Sequence, residues 1–433
     1  MKLSRFNMFF PKDDMPIVYN TRTGVLLKLP LDHYANDLSA LPLSVRHLCM
    51  EFGLAVHDNL DELLLIRKQL FDQRYNHRDL NITIAPTLDC NLACVYCYEK
   101  NYKCTKSMPI EVQDATINFI RQRLTRNSRC KITWYGGEPL LAEAIVLDMT
   151  NRIRALALEH QCRFSCGIIT NGTLLNQPFL SQMKELGCDT LQITLDGPAD
   201  VHDRRKPFLG SDASSFEAIT KNLKLDFHGM GVNIRSNIDK SNLSSLQQYV
   251  EDLADIGIFG FPVYPAPVAS WLGAGCQDIA SLCYSEPEFV EVRKVFETAA
   301  RKAGLKPAKT RPFPRSNYCS ADTAYAFTVG PDGSLYKCWS HVGDVNLVVG
   351  NLMFGTPYVN QVNNWQFFDP TAIEPCMGCV YLPLCMGGCP DKVRYNSERS
   401  CDRWKYDLHM VIEDWVNEWY EGEKTSAAII RNA

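Results

Sequence analysis

The chain lacks a long apolar run. One of its longest stretches without a charged residue, Ile256 to Gln277, is interrupted by Pro262, Pro265 and Pro267, which deny it an unbroken helix, and no membrane span is expected. Net charge is also scarce. Lys and Arg number 45 against 49 Asp and Glu, leaving −4, which argues against a nucleic-acid-coating protein. The N-terminal stretch has no signal-peptide pattern, because Lys2, Arg5, Lys12, Asp13 and Asp14 break any apolar core. Low-complexity tracts and short repeats are absent. Cysteine, by contrast, is abundant, at 18 of 433 residues. Without a secretion signal a disulfide framework is disfavoured, so metal binding or redox chemistry in a cytoplasmic protein becomes the expected reason for these thiols.

Apolar residues make up 46% and charged residues 22%, the balance of a folded enzyme, and the length suggests roughly two to three domains. Residues 1–80 read as a small leading module: Ile17–Asn20 and Val25–Leu29 flank a Thr21–Gly24 turn, and Leu60–Gln73 has helical apolar spacing. Residues 81–305 alternate short apolar strands with helical stretches. The strands expected are Ile82–Ala85, Ile132–Tyr135, Gly167–Thr170, Leu191–Leu195, Val232–Asn237 and Ile258–Val263, and among the helices are Pro109–Leu124 and Pro178–Leu186. Successive strand–helix units imply a parallel α/β sheet with its chemistry at the C-terminal strand ends. Residues 306–433 are loop-rich and end in an amphipathic helix with Val411, Trp415 and Trp419, then a tail from Glu423.

After the first strand comes Cys90-x3-Cys94-x2-Cys97, with Tyr96 before the third cysteine. Three thiolates can hold three corners of a four-iron cluster and leave one iron open; zinc binding is the alternative from spacing alone. Chance gives three cysteines at set offsets about 0.03 times in a chain of this composition. Gly136-Gly137-Glu138-Pro139 ends the second strand, Thr170-Asn171-Gly172 the third and Thr194-Leu195-Asp196-Gly197 the fourth, while Arg235 and Asn237 lie on the fifth.

This ordered set resembles the radical S-adenosyl-L-methionine (SAM) superfamily. The resemblance implies a partial (β/α)6 barrel in which Cys90, Cys94 and Cys97 hold a [4Fe–4S] cluster whose open iron is chelated by SAM. Reductive cleavage then yields a 5′-deoxyadenosyl radical that abstracts a substrate hydrogen. By resemblance Tyr96 lies near the adenine, Gly136 and Gly137 permit close backbone approach, and Glu138 pairs with the SAM ammonium. Thr194 and Arg235 hold its carboxylate, with Asn171 and Asp196 nearby.

A second set, Cys319-x13-Gly333-x4-Cys338, then Cys376-x2-Cys379-x5-Cys385-x3-Cys389 and, after eleven residues, Cys401, resembles the SPASM extension of radical SAM enzymes that modify peptides and proteins. In that family it holds two auxiliary four-iron clusters, giving three in all. Carried over, Cys376, Cys379, Cys385 and Cys401 complete one, and Cys319, Cys338 and Cys389 hold the other. Sulfatase-maturing members have a further cysteine shortly after the first; here Ser320–Thr328 has none, so Cys276 or Cys283 fills the place or one iron stays open to a substrate thiolate. Cys49, Cys104, Cys130, Cys162, Cys166 and Cys188 show no ligand spacing and read mostly as buried apolar residues.

The function implied is a peptide maturase that acts on a ribosomally made precursor, with residues 1–80 as a leader-binding module and a thioether from a cysteine as the bond formed. A flavodoxin or ferredoxin would supply electrons. A sulfatase-type maturase making formylglycine and a carbon–carbon crosslinking enzyme are the alternatives, and a non-catalytic zinc or iron–sulfur scaffold is the alternative of a different class. Asp239, beyond the fifth strand, is a candidate base, and the His202–Lys206 run reads as a solvated charge cluster.

Overall fold

The computed structural model describes residues 1–10, 17–29, 38–102, 104–269, 273–308, 311–355, 362, 365–396 and 401–422. The expected tail from Glu423 lies outside them. The chain divides into two compact units, Asn76–Lys309 with Thr323–Gln366, and Met1–Tyr75 with Thr310–Asp322 and Phe367–Ala433.

The first unit is built on one sheet. Its strands β1 (Asp79–Ile84), β2 (Arg129–Trp134), β3 (Arg163–Thr170), β4 (Cys188–Thr194), β5 (Gly231–Ile238) and β6 (Pro262–Pro267) lie side by side in chain order and all parallel. Beyond β6 the edge is β7 (Lys306–Pro307). Beyond β1 come β8 (Ala326–Val329), parallel to it, and then antiparallel β9 (Ser334–Tyr336) and β10 (Gly350–Asn351). Right-handed crossovers between strands in unbroken order place their helices on one side of the sheet, the arrangement of a partial barrel. The strand order is linear, and β7 and β10 do not close it.

Each crossover helix is specified locally. In α1 (Ile110–Arg121) Val112, Thr116, Phe119 and Ile120 recur at helical spacing and are buried. Asn176 caps the start of α3 (Gln177–Glu185) by accepting from Phe179 N, and Ser285 and Glu288 form a capping box on α7 (Glu286–Lys302). Between them in the chain lie α2 (Glu143–Glu159), α4 (Ala199–Arg205), α5 (Ser215–Asn222) and α6 (Leu246–Asp255). The sixth strand starts later than its apolar pattern predicts. Ile258 N bonds Leu253 O across Gly257 at φ +87°, so Ile258 closes the end of α6 and the strand begins at Pro262.

In the second unit, Ile17–Asn20 and Leu26–Lys28 pair antiparallel, as the hairpin pattern predicts, and a further strand, Asn7–Phe10, which that pattern does not include, joins them. Its Phe10, Ile17, Tyr19 and Leu26 share a core with Leu384, Trp404, Leu408, Ile412 and Trp415 of the C-terminal region. One face of the expected module 1–80 therefore packs on the C-terminal region, while Val18, Leu27, Leu38, Cys49, Phe52 and Leu54 form a core within the module. The expected C-terminal segment is likewise divided, because β8, β9 and β10 extend the main sheet.

Helix Glu62–Arg74 ends in a guanidinium with 0% of its side chain exposed, 3.1 Å from Asp322, itself 2% exposed and accepting from Asn317 Nδ2 at 2.9 Å. Removing one member of a buried ion pair strands the other charge. Arg74→Met is expected to cost about 3–5 kcal/mol in denaturant unfolding, and the double variant Arg74→Met/Asp322→Leu should recover much of the loss.

Candidate SAM and cluster site

The residues at the ends of β1 to β5 converge on one cavity of 260 Å³. Cys90, Cys94 and Cys97 line it together with Tyr96, Gly136, Gly137, Asn171, Thr194 and Arg235. Gln192, two residues before Thr194 on β4 and so on the same face, also lines it, a position strand alternation would have found.

The cysteine loop takes its shape from surrounding segments. Leu92 pairs antiparallel with Phe208, flanked by Ala93 N to Pro207 O (2.8 Å), Val95 N to Arg205 O (2.9 Å) and Leu209 N to Asn91 O (2.9 Å). From the other side, Gly137 N bonds Thr87 O and Glu138 N bonds Asp89 O. A Cβ on Gly137 would stand 2.1 Å from Asp89 O, and one on Gly136 (φ +117°) 2.5 Å from Thr87 O. These glycines admit the backbone of the cysteine loop as well as lining the cavity.

Glu138 is placed differently from its expected role. It is 0% exposed and outside the cavity lining, and its carboxylate already accepts from Leu140 N (3.0 Å), Thr170 Oγ1 (2.7 Å) and Asn171 N (2.8 Å). Burial raises its pKa against these bonds. It ties β2 to the end of β3, and so orients Asn171, whose Nδ2 reaches Asn91 Oδ1 at 2.8 Å.

Asp196 also stands outside the cavity lining. It accepts from Tyr96 Oη and from Asn237 N (2.9 Å), while Asn237 Nδ2 donates to Tyr96 Oη (3.0 Å) and Arg235 Nε to Asn237 Oδ1 (2.8 Å). Burial, then the Asp196 charge, drives the Tyr96 pKa well up, so the phenol stays a donor. Asp239 does not suit the expected role of base. It is buried, bound to Arg205 Nη2 at 2.8 Å, accepts from Ser241 N, and does not line the cavity.

The His202–Lys206 run is not solvated. His202, Arg205 and Lys206 are buried because this segment ends α4 and turns into the ladder against the cysteine loop, whereas Arg204 points out to Asp200. Cys276, left between two roles by its spacing, lines the cavity; its thiol donates to Tyr96 O at 3.1 Å, and burial pushes its pKa up to about 12. Cys283 bonds Ile279 O at 3.6 Å. Tyr135 and Trp339, both on the cavity wall, stack at 5.4 Å; the charges of Cys97, Cys338 and Cys276 act on the Tyr135 phenol.

Of the other sequence-predicted ligands, Cys319, Cys376, Cys379, Cys385, Cys389 and Cys401 lie in the second unit and Cys338 in the first. Cys376 and Cys379 flank a 3-10 turn, and Cys385 ends the short helix Leu382–Cys385. Burial, followed by the charges of Asp402, Cys379 and Cys376, raises the Cys385 pKa to about 12, and Lys405 Nζ approaches Cys401 Sγ at 3.6 Å. Among cysteines without ligand spacing, Cys49, Cys130, Cys162, Cys166 and Cys188 are buried as expected, and Cys104 is exposed.

The donor set fits a [4Fe–4S] cluster with SAM: three thiols share one cavity with a cation, a hydroxyl and an amide, behind a glycine pair that any Cβ would close. Residues 84–253 match the family model of the Radical SAM superfamily. The cysteine-type anaerobic sulfatase-maturating enzyme of Clostridium perfringens (strain 13 / Type A) is 24% identical over 381 residues, 79% of this chain and 95% of that protein. An uncharacterized protein of Methanocaldococcus jannaschii is 26% identical over 181 residues, 41% of this chain, and the match spans 59% of its length. The solved structure of anSMEcpe with bound AdoMet has a TM-score of 0.58 at 18% identity, covering 78% of this chain and 100% of that one. Streptococcus suis SuiB bound to precursor peptide SuiA has a TM-score of 0.51 at 14% identity, covering 91% and 97%. These two likenesses are of fold.

Two outcomes follow from the geometry. Gly137→Ala must displace the cysteine loop, and its iron content after anaerobic reconstitution should fall well below wild type. His202 is 0% exposed, and burial, then the Lys206 charge, lowers its pKa to about 3 while Nδ1 accepts from Asp196 N. Its contribution to stability is full above the unfolded value near 6.5 and is lost progressively as pH falls toward 3. At pH 5 that loss is about 2 kcal/mol; His202→Gln should remove it, seen as a smaller drop in unfolding free energy between pH 7.5 and pH 5.

Proposed function

We propose, from a chain whose residues 84–253 are a radical SAM domain, that this SAM-dependent enzyme is a maturase of the SPASM type which closes a thioether in a ribosomally made precursor peptide. The observation that carries the reading is the convergence of Cys90, Cys94, Cys97, Thr194 and Arg235 on one cavity at the ends of the parallel strands. When bound, the cluster and SAM supply a carbon radical that takes a hydrogen atom from substrate. The chain's residues do the holding: the three thiolates grip iron, Thr194 and Arg235 take the SAM carboxylate, and Tyr96, fixed by Asp196 and Asn237, flanks the adenine.

Joining sulfur to carbon removes two hydrogens from the peptide. One leaves as the abstracted atom; the other leaves as a proton, and its electron needs an acceptor. Cys376, Cys379, Cys385 and Cys401 would hold that acceptor, and Cys319, Cys338 and Cys389 a second auxiliary cluster. An external flavodoxin or ferredoxin would deliver the reducing electron, and residues 1–80 would bind a leader. A structural neighbour is described as bound to a precursor peptide, which supports this partner.

One observation favours a second reading, formylglycine formation: the sulfatase-maturating relative is matched over 95% of its length. Against it stands the absence of cysteine from Ser320–Thr328. The test is anaerobic incubation of the reconstituted enzyme with SAM, a reductant and cysteine-containing peptides. Thioether closure is expected to remove two hydrogens and protect the cysteine from alkylation in the mass spectrum. Loss of sulfur with a hydrazide-reactive aldehyde would establish the second reading instead.

A further inference from the structure

Lys206 lines the same cavity as the cysteines and is 4% exposed. Its ammonium makes no hydrogen bond or ion pair among the described residues. A buried cation in that state is costly unless a negative group shares its surroundings. The other cations here are engaged: Arg205 with Asp239 at 2.8 Å and Arg235 with Asn237 at 2.8 Å. Glu138, whose charge Lys206 feels, is already filled by its three donors.

The ladder identifies the missing counter-charge. The Leu92–Phe208 bridge and the bonds Ala93 to Pro207 and Val95 to Arg205 set an antiparallel register in which Cys94 stands directly opposite Lys206. This is a pair without hydrogen bonds of its own, the kind in which two side chains share one face and lie closest. Both line the cavity.

We propose that Lys206, held opposite Cys94, is the cation that makes the SAM-binding cluster easier to reduce. The inference rests on Cys90, Cys94 and Cys97 holding that cluster. Reduction adds negative charge to a group already carrying three thiolates, and net charge is one of the determinants of cluster potential. An ammonium beside the cluster favours the reduced state, because its attraction to the added negative charge is stronger near the protein than in bulk water. Lys206 would thus be a positioning residue for charge, acting through the cluster.

The test compares Lys206→Gln and Lys206→Met, which remove the charge, with Lys206→Arg, which keeps it. Each protein is reconstituted anaerobically, its iron is counted, and its radical-SAM cluster is titrated by electron paramagnetic resonance without SAM. The neutral variants are expected to assemble the cluster and be at least about tenfold harder to reduce, a fall of about 59 mV for one electron, with the arginine variant close to wild type. Unchanged potentials overturn the inference, and if SAM affinity drops alongside them, Lys206 instead grips the SAM carboxylate. Failure of both neutral variants to assemble the cluster, while the arginine variant does, also overturns it and makes the residue a builder of the loop. Wild-type protein that takes up no iron at Cys90, Cys94 and Cys97 would instead sink the reading beneath it.

Discussion

Three thiolates brought onto one metal cluster would repel one another, and the short loop that carries Cys90, Cys94 and Cys97 has no regular structure with which to resist. Its shape must be imposed from outside. Residues 91–95 are held along one edge by the backbone of residues 205–209, and the segment leading into them is held by the backbone of Gly137 and Glu138. At its far end, the Cys276 thiol bonds Tyr96 O, and a Cβ on Gly275 would stand only 2.2 Å from Cys97 O. Backbone groups do most of this work, so side-chain identity matters mainly where it must be absent, at the glycines.

The strand ends extend the same constraint. Asp196 from the loop after β4, Asn237 from β5 and Arg205 from α4 all meet Tyr96: two through its hydroxyl, and Arg205 with its guanidinium 5.2 Å from the ring. Buried ion pairs such as Arg205–Asp239 contribute little net stability, because desolvation offsets most of the attraction. What they do give is a definite place for each charge. A loop that must present three sulfurs in fixed positions benefits from neighbours that cannot rearrange without stranding a charge.

The parts legible in sequence were those with local causes. Six strands and the motifs at their ends followed from apolar runs and glycine turns, and all six strands are present. The missed start of β6 was a competition between two local signals, in which the glycine that ends α6 took Ile258 from the strand. Non-local facts were not legible. Nothing in residues 1–80 shows that Phe10, Ile17 and Tyr19 will share a core with Trp404 and Trp415. Nothing in a His-Asp-Arg-Arg-Lys run shows that three of its side chains turn inward, since charge density reads as solvation until the segment's partner is known. Glu138 is a related case: its motif marks where it lies along the chain, while two of the donors that reach its carboxylate, Thr170 and Asn171, come from the end of another strand.

The second unit places several cysteines next in sequence to elements of its core. Its Cys376, Cys379 and Cys385 are near enough for their charges to act on one another, with Asp402 beside them, and burial already pushes the Cys385 thiol up to about 12. Without metal the Cys385 thiol keeps its proton at neutral pH. A metal that takes thiolate ligands expels such protons, and its binding energy becomes folding energy for whatever the ligands hold in place. Cys401 sits three residues before Trp404, the first residue of the C-terminal helix, whose Trp404, Leu408, Ile412 and Trp415 form one core with the N-terminal sheet. The helix that follows Cys401 is thus the one on which the first strands pack, while Val18, Leu27, Leu38, Cys49, Phe52 and Leu54 give residues 1–80 a second core with no C-terminal member.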